Sequence, residues 1–270
     1  EFPEWTKSSE FQRRDEILSK STIKAVAVIT NANIIKDKIA FFYSVSKERI
    51  YVINHQPCVA ISKFTKIDQN LFDNFKKIHK LPEKYIFYPA MYFPHKNHKC
   101  VIDAIKILKS EYNVNLYAVF CGSDKGYLKK IKKYVQEQKQ SENIIFLDFV
   151  ESKYLPYLYL NSLALAMPTF SGPTNIPPWE AFKIGVPVLY SDIYNIKEVY
   201  KDAVYYINPL DPKSLASGIL NIINNNNLRE KLIGNGKKLL NSIDVDKEFG
   251  QFFDIINKRE KIKQSWNFRN

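Results

Sequence analysis

Lys96 stands in the segment Pro94-His95-Lys96-Asn97-His98, between a short apolar run and a stretch with helical spacing. A helix start offers unpaired N–H donors and the positive end of the helix dipole, so a lysine placed there suits a phosphate-bearing ligand. His95 and His98 flank it. Gly122-Ser123 follow a second apolar run, and a residue without Cβ lets backbone approach a ligand closely. A third such run leads into Ser171-Gly172-Pro173-Thr174-Asn175-Ile176 and then Glu180, whose carboxylate can accept from two adjacent hydroxyls, as on a ribose. Each of these residues has a plain structural alternative: a solvated surface lysine, a strand-to-helix turn, and a first-turn carboxylate complementing a helix dipole. Glu198 is assigned to the last of these.

Other chemistries are not supported. There is no GxGxxG, GxxxxGK[ST], HExxH or GxSxG pattern, and the four histidines, His55, His79, His95 and His98, do not cluster with cysteines. No metal site is expected. Cys58, Cys100 and Cys121 are odd in number and lack a CxxC spacing, which argues against a disulfide framework or a zinc site and fits a reducing, cytoplasmic compartment. No apolar run approaches the ~20 residues that a membrane-spanning helix needs. The net charge of +12 favours anionic partners: phosphorylated substrates, nucleic acid or an anionic membrane surface. Nucleic acid is not expected, because no RNP-like or helix-turn-helix signature accompanies the charge and the aromatic residues fall mostly at core positions.

The elements that must position these residues are legible as apolar runs. Ala25–Thr30, Ile50–Ile53, Tyr85–Tyr88, Leu116–Phe120, Ile144–Leu147, Leu163–Met167, Val186–Tyr190 and Val204–Ile207 are expected to be buried strands. Between most of them lie amphipathic segments such as Val101, Ile102, Ile105 and Leu108, or Leu128, Ile131 and Val135. Strand, helix, strand at intervals of roughly thirty residues predicts an α/β fold with a doubly wound parallel sheet over about residues 80–240. Ligands of such sheets bind beyond the carboxyl ends of the strands, where the three candidate segments lie. Residues 58–82 show little periodicity and are expected to be a linker. Asn224–Asn227 is expected to stop one helix and cap the next, and Phe249, Phe252, Phe253 and Ile256 mark a last amphipathic helix with a basic tail.

In order, these segments resemble the C-terminal, nucleotide-sugar-binding half of GT-B glycosyltransferases, specifically glycosyltransferase family 4. The resemblance rests on Pro94-His-Lys96-Asn after Tyr85–Tyr88, Gly122-Ser123 after Leu116–Phe120, and Asn143-Ile-Ile-Phe-Leu-Asp-Phe-Val150. It continues through Ala166-Met-Pro-Thr-Phe, Gly172-Pro-Thr-Asn-Ile-Pro-Pro-Trp-Glu180-Ala-Phe-Lys-Ile-Gly-Val-Pro-Val and Asn195-Ile-Lys-Glu198-Val. It implies a Rossmann-like donor domain over 83–242, a remnant of an acceptor-side domain over 1–57, and a crossover helix with its tail over 243–270. Most of the acceptor-side domain would then be missing, so a truncated chain or one part of a split enzyme is expected, alone unable to transfer sugar. Two departures stand out. The family's Glu-x7-Glu motif has Gly172 at its first position, and the Arg that usually precedes the Lys is replaced by the neighbourhood Met91-Tyr92.

What the resemblance implies is a retaining hexosyltransferase that moves a sugar such as mannose or glucose from a nucleoside diphosphate sugar to a glycan or lipid-linked acceptor, in cell-surface polysaccharide synthesis at the inner face of the membrane. No cofactor or metal is implied. Lys96 and Glu180 would be catalytic, countering the diphosphate charge and holding the ribose. Val150 would line the base pocket, and Gly122, Ser123, Ser171, Gly172, Pro173, Thr174, Asn175 and Ile176 would contact the donor, with His95 and Tyr92 as further candidates. The alternative is a non-catalytic nucleotide-sugar-binding subunit.

Overall fold

The computed structural model describes residues 8–172 and 174–267; Pro173 lies outside the described residues. The chain divides into two compact units, residues 8–55 with 241–267, and residues 56–240. The first unit opens with α1 (Ser8–Lys24), β1 (Val28–Thr30), α2 (Asn33–Tyr43) and β2 (Ile50–Val52). The second holds α3 (Val59–Ser62), α4 (Gln69–Ile78), β3 (Tyr85–Pro89), α5 (His98–Tyr112), β4 (Tyr117–Cys121), α6 (Leu128–Glu137), β5 (Ile144–Leu147) and α7 (Leu155–Leu160). It continues through β6 (Ala164–Met167), α8 (Ile176–Ile184), β7 (Val188–Ser191), α9 (Ile196–Tyr200), β8 (Tyr205–Ile207), α10 (Pro212–Asn224) and α11 (Asn226–Asn241). The chain ends its described part in α12 (Val245–Asn267).

In the first unit, β1 and β2 pair in parallel, Val28 opposite Ile50 and Thr30 opposite Val52. Arg49 donates to the carbonyls of Ile23 (3.0 Å) and Ala25, satisfying backbone acceptors left over at the end of α1. Glu248 of α12 accepts from the backbone N–H (3.2 Å) and side-chain amide (2.6 Å) of Asn54.

The second unit is a six-stranded parallel sheet in the order β5-β4-β3-β6-β7-β8. Ile86, Phe87 and Tyr88, Ala118 to Phe120, Ala164 to Ala166, and Val188 to Tyr190 are all fully buried. Strands covered on both faces need apolar side chains on both, so they appear in the sequence as unbroken runs, and all eight expected strands are present. Asn225 caps α11 by accepting from the Leu228 N–H at 2.9 Å, as expected of the asparagine run.

Residues 58–82 are not a plain linker. Asp68 caps α4 by accepting from Leu71 N–H (3.0 Å), and the buried Phe72 and Phe75 stack on Tyr157 and Tyr154 with ring centroids 5.3 and 4.2 Å apart. Leu71, Phe72, Phe75 and Ile78 recur at helical spacing behind that cap, a short amphipathic stripe already present in the sequence, and its two aromatic anchors suffice for a ten-residue helix to dock.

Gly122, just past β4, sits against the end of β3. A Cβ built there would lie 2.4 Å from the Ala90 carbonyl oxygen and 2.9 Å from the Met91 nitrogen. The neighbour is backbone and cannot step aside, so Gly122→Ala is expected to destabilise the unit by about 1–3 kcal/mol. Chemical denaturation of the variant checks this; unchanged stability would show that the two strand ends can separate freely.

Candidate functional site

In this strand order the direction of winding reverses at β3, which is flanked by β4 on one side and β6 on the other. The crossovers that follow β3 and β6 therefore run to opposite faces of the sheet, and the ground between their loops is the crevice at which open α/β sheets bind ligands. Lys96 follows β3, and Ser171 to Ile176 follow β6.

The two loops are tied together through backbone. The His95 carbonyl accepts from Phe170 N–H (2.9 Å) and Thr169 Oγ1 (3.1 Å), and Thr169 Oγ1 also bonds the Ser171 carbonyl (2.6 Å). Asn97 sits in the left-handed region at φ 55° and donates to the carbonyls of Pro168 (3.0 Å) and Pro209 (2.8 Å), joining the exits of β3, β6 and β8. Asparagine tolerates that backbone conformation better than most residues. The Tyr88 hydroxyl bonds the Lys96 carbonyl from below.

Lys96 is half-buried, and its Nζ donates to Asn175 Oδ1 at 2.7 Å. Burial lowers its pKa to about 8, and among the described residues no carboxylate pairs with it. The Asn175 amide nitrogen donates to the Gly172 carbonyl (2.9 Å) and to Tyr190 Oη, while the Tyr190 hydroxyl bonds the same carbonyl (2.8 Å). The hydroxyl of Tyr200 lies 3.3 Å from both the nitrogen and the carbonyl oxygen of Asn175. Gly172, at φ +102°, makes the turn possible, and a carboxylate-bearing side chain there would be strained as well as pressed onto Asn175. Pro177 and Pro178 lack N–H groups, so α8 presents only Ile176 and Trp179 among its first four backbone donors. The helix dipole is thus less well equipped to hold an anion than its position suggests.

Glu180 lies in the second turn of α8, not the first, and is buried. Its Oε2 accepts from the Tyr159 hydroxyl at 2.7 Å and its Oε1 from Cys58 N–H at 3.4 Å, linking α8 to α7 and to the start of α3. Ser123 gives its carbonyl to Tyr92 N–H (3.1 Å), and Asp124 caps the turn into α6 by accepting from Gly126, Tyr127 and Leu128. Val150 lines a cavity of about 320 Å³ together with Leu71, Phe75, Phe149, Glu151 and Tyr154. Thr174 is half-buried and Ile176 exposed beside Asn175.

The histidines and Tyr92 differ from expectation. Tyr92 and His98, each 1% exposed, stack with ring centroids 4.8 Å apart, and His98 also meets Tyr88 and Phe120. They are core residues, closed off from a ligand, and burial pushes His98 down to about 3. Burial, with Lys96 alongside, lowers His95 to about 4, so at neutral pH it brings no positive charge to the crevice. Thr169, Asn97, Tyr190 and Tyr200 were not singled out by sequence reasoning. The position of Asn97 in the Pro94–Asn97 segment and that of Thr169 two residues past β6 were the usable signals.

Among the described residues no group of three or more His, Cys, Asp or Glu side chains is placed to hold a metal ion. No described helix is long and apolar enough to cross a membrane. The three cysteines are unpaired.

Residues 70–239 match the family described as glycosyl transferases group 1. The chain is 31% identical over 206 residues to the O-antigen chain mannosyltransferase RfbU of Salmonella typhimurium, an alignment that covers 76% of this chain and 53% of that protein. A protein of Methanocaldococcus jannaschii, the uncharacterized glycosyltransferase MJ1607, is 24% identical over 226 residues, 81% of this chain and 56% of its own length. The chain thus spans about half the length of these curated relatives. Among solved structures, Anabaena Alr3699/HepE in complex with UDP-glucose superposes with a TM-score of 0.77 at 16% identity, covering 95% of this chain and 69% of that one. At that identity the likeness speaks for the fold, the GT-B architecture. With the family match extending over more than half of its residues, the chain belongs to the group 1 glycosyl transferases.

Proposed function

We propose that residues 56–240 bind a nucleoside diphosphate sugar in the crevice between the β3 and β6 loops, and that the enzyme containing them transfers the sugar, with retention, to a glycan or lipid-linked acceptor. The observation that carries this reading is the Lys96 amine, held at the switch point of the sheet by a neutral partner and by no carboxylate among the described residues. An ammonium so placed meets the charge that grows on the diphosphate as the sugar bond breaks, and one preorganised donor of this kind is commonly worth about 10²-fold to 10³-fold in rate. The Val150 cavity is of a size to take a base ring. A hexose such as mannose is favoured by the names of the bacterial O-antigen relatives, and the Anabaena structure holds UDP-glucose. The net charge of +12 suits an enzyme working beside an anionic membrane surface. Gly172, standing where the family carries a carboxylate, favours the second reading, a donor-binding subunit without catalysis.

Calorimetry of the chain against a panel of nucleoside diphosphate sugars tests the donor reading, and failure of every member to bind would overturn it. Transfer to an acceptor once the remainder of a family enzyme is supplied separates the catalytic reading from the subunit.

Lys96→Ala is expected to weaken a nucleoside diphosphate by about 1.5–3 kcal/mol while leaving the bare nucleoside nearly unaffected. Equal losses for both ligands would remove Lys96 from the diphosphate. Wild-type affinity for the diphosphate should also be pH-dependent. The amine is protonated below its folded pKa of about 8, so binding is full near pH 7 and weakens as the pH rises through that value. Titrations across this range with the bare nucleoside as control provide the check.

Glu180 gives a third expectation. Glu180→Gln keeps one acceptor, for the Tyr159 hydroxyl, but turns an amide N–H toward the Cys58 N–H, so thermal stability should fall by no more than about 1 kcal/mol, while a ribose held by the carboxylate should lose about 1–3 kcal/mol. Glu180→Ala orphans that buried hydroxyl and should destabilise folding by about 1–3 kcal/mol. Full nucleotide affinity in the Gln variant would confine Glu180 to its structural contacts.

A further inference from the structure

Asn175 was expected to touch the donor, yet its side chain is already fully engaged. The Gly172 carbonyl can only accept, so the amide nitrogen of Asn175 must face it, and the amide oxygen must then face Lys96. Tyr190, whose hydroxyl hydrogen goes to the same Gly172 carbonyl, accepts the second amide hydrogen on its lone pair. Orientation is therefore dictated by hydrogen-bond chemistry, and the oxygen offered to the ammonium cannot rotate away without breaking two other bonds. Backbone contacts of Asn175 with Tyr200 and the contact of Gly172 with the Asn175 side chain hold the loop to the same geometry.

We propose that Asn175 is a positioning residue which fixes the Lys96 ammonium through a neutral amide, leaving the whole of its charge for an anion in the crevice. The inference rests on the donor reading above for the identity of that anion, a diphosphate. A carboxylate in place of the amide would hold the ammonium at the same distance but cancel its charge, and it would face the Gly172 carbonyl with an acceptor where a donor is needed. The other titratable groups around Lys96 do not substitute for it. His95 and His98 are neutral at pH 7, with pKa values near 4 and near 3, and burial keeps the hydroxyls of Tyr88, Tyr190 and Tyr200 protonated. Among the described residues Lys96 is thus the one of these groups that is charged at neutral pH.

The test uses the full chain, with inorganic pyrophosphate as the probe and the protonation of Lys96 as a readout that needs no ligand. Trace acetylation from about pH 6 to about pH 11, read at the Lys96 peptide by mass spectrometry, gives the amine midpoint. In the wild type the midpoint should lie near 8. In Asn175→Asp it should rise above about 10 because the new carboxylate favours the charged form, and pyrophosphate should bind roughly 10- to 100-fold more weakly. In Asn175→Ala the amine gains no counter-charge, so its midpoint should stay well below that of the Asp variant while pyrophosphate is weakened through loss of the tether. This variant keeps the proposal testable if Asn175→Asp does not fold. An amine midpoint unmoved by Asn175→Asp, or wild-type pyrophosphate affinity in Asn175→Ala, overturns the positioning role. Absence of pyrophosphate binding by the wild type, with the midpoint still raised by Asn175→Asp, overturns the donor reading and leaves the Lys96–Asn175 pairing standing.

Discussion

Lys96 has withdrawn its ammonium from much of the surrounding water, and the partner it finds at 2.7 Å is an uncharged amide. Burial of a charge is costly unless it is paired, and a neutral hydrogen bond compensates only part of that cost. The remainder appears as the lowered pKa. Most of the architecture around the crevice can be understood as what it takes to keep this arrangement in place. Asn97 binds the β3 exit to the β6 and β8 exits, Thr169 and the His95 carbonyl lace the two loops, and three buried tyrosines supply hydroxyls under them.

Those tyrosines explain why so aromatic a core contains so much polar wiring. Tyr88, Tyr190 and Tyr200 are each fully buried, and a buried hydroxyl left without a partner costs as much as several ordinary contacts contribute. Each is bonded to the backbone of a site loop, at Lys96, Gly172 and Asn175 respectively. The rings pack among strands and helices while the oxygens reach the loops, so loop geometry is inherited from the most rigid part of the molecule.

The departures from the family pattern are compensated by the same network. At Gly172 the backbone takes a positive φ and lies against Asn175, so the loop is organised around an amide where a carboxylate would be expected. With Pro177 and Pro178 removing two helix-start donors, the fixed positive charge matters more than the dipole. Glu180 belongs to a separate polar junction among α3, α7 and α8, with Tyr159 and the Cys58 N–H as its partners.

The parallel sheet was legible from residues alone because strands buried on both faces must be apolar throughout, and the βαβ rhythm then imposes the connectivity. The positions of Lys96, Gly122 and the Ser171–Ile176 segment beyond strand ends followed from the same reading. The helix α4 was legible too, from the Asp68 cap and the stripe Leu71, Phe72, Phe75 and Ile78; what local composition could not supply was its docking partners Tyr157 and Tyr154, about eighty positions away. Nor could it separate His98 and Tyr92, which are stacked in the core, from the neighbouring His95 and Lys96, which border the crevice. Burial, hydrogen-bond direction and the pKa of an amine are properties of surroundings that the chain assembles from distant segments. The sequence therefore determined which elements form and which loops converge. Only the tertiary structure decided that Asn175 would meet Lys96, 79 residues away, and leave its charge unspent.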